Sequence, residues 1–130
     1  MKPKTIKQKV IFNVNPHEVF EALMDSKKHS EFTSSSAKIS RKVGGAISAY
    51  DDYISGENLE LEKDKKIVQK WRAIDWEKDH YSMVTYELKK IKTGTELSFT
   101  QTDVPADQYE DINQGWIDHY WIPMKEMLEK

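Results

Sequence analysis

From Thr5 to Val14 the residues Ile6, Gln8, Val10, Phe12 and Val14 fall on alternate positions, the mark of a strand with one face turned to a core. Asn15 and Pro16 stop that strand and open a helix: Asn caps well, Pro suits the first helical position, and Glu18 sits where a capping box would close. Val19, Phe20, Leu23 and Met24 then form one apolar stripe. Asp25 or Ser26 caps a second short helix from Lys27 to Phe32. The pattern next turns to strands. Residues 37–42 and 46–50 read as hairpin partners across a tight Gly44-Gly45 turn, and Asp51-Asp52 marks another turn. Residues 53–62, 66–73, 81–89 and 95–102 alternate or carry β-branched and aromatic side chains, and their short polar connections predict an antiparallel meander.

After Val104-Pro105, Ile112, Trp116, Tyr120 and Met124 recur every fourth residue, with Ile117, Trp121 and Leu128 widening the stripe into one long amphipathic helix. Pro123 has no N–H for the carbonyl of His119, so an irregularity is expected there. The order predicts an α+β fold: two short helices after the first strand, and a curved antiparallel sheet wrapped around a long C-terminal helix, with room for a cavity between them.

Composition narrows the function. At 130 residues, 38% hydrophobic and 11% aromatic, without repeats or linkers, the chain reads as a single domain over residues 1–130. A net charge of −2 gives no general attraction to nucleic acid or anionic lipid. With no cysteine, disulfides, zinc fingers, iron–sulfur clusters and thiol catalysis are excluded. No apolar run matches a signal peptide or a membrane span, so a cytoplasmic protein is expected.

Trp71, Trp116 and Tyr120 are the large amphipathic side chains best placed between sheet and helix, as core and as the lining of a ligand cavity. Gln69 shares strand parity with Ile67 and Trp71, and Asn58 is the second polar candidate for an inward face, the two together fixing a ligand's orientation. Gly115 reads as a point of close helix–sheet approach. His17, His29, His80 and His119 lack metal-binding spacing and read as solvated surface, so neither a metal nor a cofactor is expected. The serines at 34–36 have no nucleophile-elbow context, and no glycine pattern cradles phosphate. Lys7 and Lys9 on the first strand, and Lys63, Lys65, Lys66 and Lys70, read as a solvated sheet face or edge protection, and alternatively as a partner-docking face.

The run Lys66-Ile67-Val68-Gln69-Lys70-Trp71-Arg72, with Trp76, His80, Glu96-Leu97-Ser98-Phe99, Val104-Pro105 and Gln114-Gly115-Trp116, resembles the C-terminal domain of the activator of the heat shock protein 90 ATPase. The resemblance covers nearly the whole chain and implies the START-like (SRPBCC) helix-grip fold. It departs from the family at Gly44-Gly45, which leads here into Ala46-Ile47 rather than a charged residue and an aromatic. It implies a non-enzymatic domain binding a hydrophobic small molecule or a protein partner. A co-chaperone module acting on the heat shock protein 90 chaperone is the alternative, and a cyclase-like enzyme a third reading.

Overall fold

The computed structural model describes residues 2–129. Strand β1 (Lys4–Phe12) is followed by helices α1 (Pro16–Met24) and α2 (Ser26–Thr33). Six further strands come next: β2 (Lys38–Ile39), β3 (Ala46–Ala49), β4 (Ile54–Glu62), β5 (Lys66–Ala73), β6 (Ser82–Ile91) and β7 (Gly94–Val104). All neighbours in the sheet are antiparallel, in the order β1-β7-β6-β5-β4-β3-β2, so the meander from β2 to β7 is completed by the first strand returning beside the last. The helical C-terminus has four pieces: a 3₁₀ turn (Ala106–Gln108), α3 (Tyr109–Trp116), a π-helical turn (Ile117–Trp121) and α4 (Ile122–Leu128). Among the described residues, no helix is long and apolar enough to cross a membrane.

Local chemistry accounts for these boundaries. The Asn15 side chain accepts from the Glu18 N–H at 3.2 Å, and Asp25 does the same for Lys28 at 3.0 Å, so both short helices start on capped amides. Ile6 and Phe12 are buried while Lys7, Lys9 and Ile11 of the same strand are exposed, as period two requires. Val19, Leu23, Ile67, Val84, Leu97, Phe99, Trp116 and Met124 meet in one core between the sheet's inner face and the helices.

One expectation about the turns is corrected. The first hairpin is not closed by a two-residue turn at Gly44-Gly45: β2 is only two residues long, Ser40 still pairs with Ala46, and residues 41–45 form the loop. Gly44, at φ +82°, and Gly45 bond instead to the backbone of Asn58, laying the loop over β4. In β4 itself a bulge interrupts the register, with Asn58 opposite Gln69 but Glu60 opposite Val68. Leu59 is the extra residue and turns to solvent, which is how Asn58 and Leu61 can both reach the interior side.

Candidate functional site

Three indole N–H groups are satisfied by three glutamines. Trp116 Nε1 donates to Gln101 Oε1 at 2.8 Å, Trp121 Nε1 to Gln8 Oε1 at 2.6 Å, and Trp76 Nε1 to Gln108 Oε1 at 2.9 Å. These bonds fix ring orientation inside an aromatic cluster, in which Trp116 lies 4.3 Å from Phe99, 4.5 Å from Tyr120 and 5.9 Å from Trp71 between ring centroids. Trp116 and Trp71 are therefore core residues, and each also presents part of its ring to a cavity.

That cavity is an open groove of about 320 Å³. Tyr50, Tyr53 and Ile54 make one wall, Trp71 the floor, and Ile112, Gly115, Trp116, His119 and Tyr120 the opposite wall. The first wall comes from a turn in which Tyr50, Asp51 and Asp52 all take left-handed backbone angles, at φ 51°, 55° and 72°. The turn is pinned because Asp51 N–H donates to the Ser36 carbonyl and the Ser36 N–H to Asp51 Oδ1. The second wall depends on Pro123. Because it has no N–H, the His119 carbonyl is left without its helical partner; the Ile122 N–H reaches back to Ile117, making the π turn, and Tyr50 Oη donates to the freed carbonyl at 3.0 Å. The two walls are joined by that bond.

Gly115 does not serve close packing. A Cβ there would meet only the His119 ring at 3.8 Å, so glycine leaves the groove wide instead of letting helix and sheet approach.

Beneath the groove lies a polar pair in an apolar setting. His29, expected on the surface, is only 4% exposed, because α2 packs it with Phe32 against Tyr120. Its Nδ1 lies 3.2 Å from the Leu23 carbonyl, which can only accept, so Nδ1 carries the proton. Nε2, 2.9 Å from Tyr120 Oη, is then the acceptor, and the tyrosine donates. Burial lowers the His29 pKa, the carbonyl bond pulling partly back, to about 4, so the ring is neutral at neutral pH. Burial, with the nearby Tyr86 and Tyr50 phenols, raises the Tyr120 pKa well above the usual phenol range, and burial alone raises Tyr50 to about 12.

Of the five residues singled out from the sequence, Trp71, Trp116 and Tyr120 converge on the groove. Gln69 lies deeper, beside a void of about 10 Å³ shared with His29, Tyr86 and Tyr120, roughly the size of one water molecule. Asn58 lies outside both: fully buried, it donates to the Ser40 and Lys42 carbonyls at 2.6 and 3.0 Å and accepts from Gln69 Nε2 at 3.1 Å. It tethers the loop between β2 and β3. Tyr50, Tyr53 and His119 complete the groove and were not singled out; their signal was the aromatic pair flanking Asp51-Asp52 and the spacing of 119 from 112, 115 and 116.

A larger depression of about 760 Å³ opens at the other end of β4 and β5, under the start of α1. Its wall mixes Glu62, Asp64 and Glu87 with Lys65, Lys66, Lys89 and Lys90, so it is a solvated, charge-compensated surface rather than a place that strips water from a ligand. Among the described residues, no group of three or more His, Asp or Glu side chains could hold a metal ion.

Against known proteins, the model of the family described as activator of Hsp90 ATPase homolog 1-like protein matches residues 13–129. The chain belongs to this family. The Hsp90 ATPase activator family includes a Dictyostelium discoideum relative, called an activator of 90 kDa heat shock protein ATPase homolog, that is 33% identical over 114 residues. A human homolog 1 of the same name is 29% identical over 118 residues. The chain spans only 30% and 35% of the lengths of these two relatives. A crystal structure described as an HSP90 activator from Plasmodium falciparum superposes with a TM-score of 0.89 at 29% identity, covering 99% of this chain and 97% of that one. The solution structure of an Aha1 dimer from Colwellia psychrerythraea, at a TM-score of 0.84 and 15% identity, shares the fold. The helix-grip architecture expected from the Trp-Arg strand and the Gln-Gly-Trp helix is thus the observed one.

Proposed function

We propose that this member of the Hsp90 ATPase activator family is a non-enzymatic binding domain whose groove takes a hydrophobic small molecule. The observation that carries this reading is the groove itself, about 320 Å³ with aromatic and aliphatic walls, lying open beside a tightly packed core. Trp71, Trp116 and Tyr120 are the contact residues, and Gln69 and Asn58 hold the strands behind them. The test uses Nile red, a neutral apolar dye. Saturable binding with an emission blue shift is expected, and Gly115→Leu, which fills the groove from a position with open space in front of it, should abolish it. Unchanged dye binding by a folded Gly115→Leu protein would refute the reading.

A second reading, a co-chaperone that binds the heat shock protein 90 chaperone and stimulates its ATPase, is favoured by the Plasmodium falciparum match, a chain described as an HSP90 activator and covered over nearly its full length by this one. It predicts saturable binding and a changed ATPase rate with the purified chaperone; no binding at low salt would sink it. Both readings assume a cytoplasmic protein.

A further inference from the structure

The segments that supply the groove's two walls carry a charge bias that the chain as a whole, at a net −2, does not have. Asp51 and Asp52 are exposed in the lip between Tyr50 and Tyr53. Asp75 is exposed and accepts from Tyr53 Oη at 3.0 Å. Asp107, Glu110, Asp111 and Asp118 are all exposed along the helical stretch that supplies Ile112, Gly115 and Trp116. The two wall segments, residues 50–54 and 112–120, contain no lysine or arginine, while Arg72, next to Trp71, donates to the Trp76 and Glu77 carbonyls. Lys4 lies over the Tyr109 ring, 5.0 Å from its centroid, at the start of α3, and the lysines cluster on β1 at Lys7 and Lys9 and at the other end of the sheet at Lys65, Lys66, Lys89 and Lys90.

The groove's own chemistry points the same way by a separate route. Five of its nine lining residues are Tyr50, Tyr53, Trp71, Trp116 and Tyr120. The polar hydrogens of four of these are already engaged: Tyr50 with the His119 carbonyl, Tyr53 with Asp75, Tyr120 with His29 and Trp116 with Gln101. An anionic headgroup would find those four donors occupied and the Asp51-Asp52 carboxylates at the lip. A cation would find ring faces, whose π electrons attract ammonium groups, and a negative rim.

We propose that the groove selects a small apolar molecule carrying one positively charged nitrogen, an alkylammonium. Its chain lies against Trp71, Trp116 and Tyr120, and its cation sits at the mouth near the Tyr50 and Tyr53 rings and the Asp51-Asp52 lip. This rests on the reading of the groove as an apolar ligand site. The experiment is displacement of Nile red by decyltrimethylammonium, decanol and decanoate, all below their micelle concentrations. Decyltrimethylammonium is expected to compete about tenfold better than decanoate at low salt, the gap shrinking as salt shortens the reach of the rim charges. The double variant Asp52→Asn/Asp118→Asn should narrow the same gap while leaving decanol unchanged. Nile red binding with decanol or decanoate equal to or better than the cation overturns this inference and leaves the groove reading standing. Absence of any Nile red binding overturns both.

Discussion

His29 shows how one side chain is given its state by its neighbours. A histidine that becomes charged loses the acceptor that Tyr120 uses, and it does so in a place where water cannot compensate, which is why its pKa falls to about 4. The consequence for stability has a definite sign. Between about pH 6.5 and pH 4 the unfolded chain binds a proton at this position and the folded one does not, so stability is full above about 6.5 and is lost as the pH falls towards 4. At about 1.4 kcal/mol for each pH unit, the loss attributable to His29 comes to about 3 kcal/mol. Urea unfolding of wild type and His29→Gln across that range measures it: the wild-type stability should fall more steeply with acid, and parallel curves would remove His29 as the cause. The sequence did not reveal this residue, because α2 (SKKHSEFT) offers only Phe32 as an apolar anchor and a lone histidine three positions away reads as surface.

Among the elements, those whose identity follows from period and punctuation were legible. The alternation in β1, the caps at Asn15 and Asp25, the meander and the helical stripe all reappear, since each rests on local rules that packing did not override. The irregularity expected at Pro123 is also present, and its form could be anticipated only in part. The missing N–H necessarily frees the His119 carbonyl, but that the helix answers with a π turn and that Tyr50, 69 residues earlier, supplies the replacement donor depends on where the sheet brings the turn between β3 and β4. The same distinction separates Trp71, Trp116 and Tyr120, found through their periodicity, from Tyr50 and Tyr53, which lie in a left-handed turn with no periodic signature. Asn58 was visible as an inward polar group, whereas its partners across the bulge and in the loop were not, because a bulge changes parity without marking the sequence.

At the scale of the whole molecule, the C-terminal helix is held unequally along its two sides. On the β1 side, Gln8 Nε2 donates to the Asn113 carbonyl and side chain at 2.8 and 2.9 Å while its Oε1 accepts from Trp121, and Asn13 N–H donates to Glu129 at 3.1 Å. On the groove side, the polar ties are Tyr50 to His119, Tyr120 to His29 and Trp76 to Gln108, one bond each. This makes β1, through Gln8, the edge with more polar ties to the helix. Gln8 is the side chain on which that difference depends. Gln8→Leu leaves the buried Trp121 N–H without an acceptor and removes both bonds to Asn113, and the expected cost is about 2–4 kcal/mol in chemical denaturation. Gln8→Glu, which keeps the acceptor for Trp121, should recover part of it. Hydrogen exchange gives the matching local readout: in Gln8→Leu, amides of α3 and the π turn should exchange faster than those of β4 and β5. A loss below about 0.5 kcal/mol, within the range of ordinary surface substitutions, would mean that aromatic packing alone holds the helix.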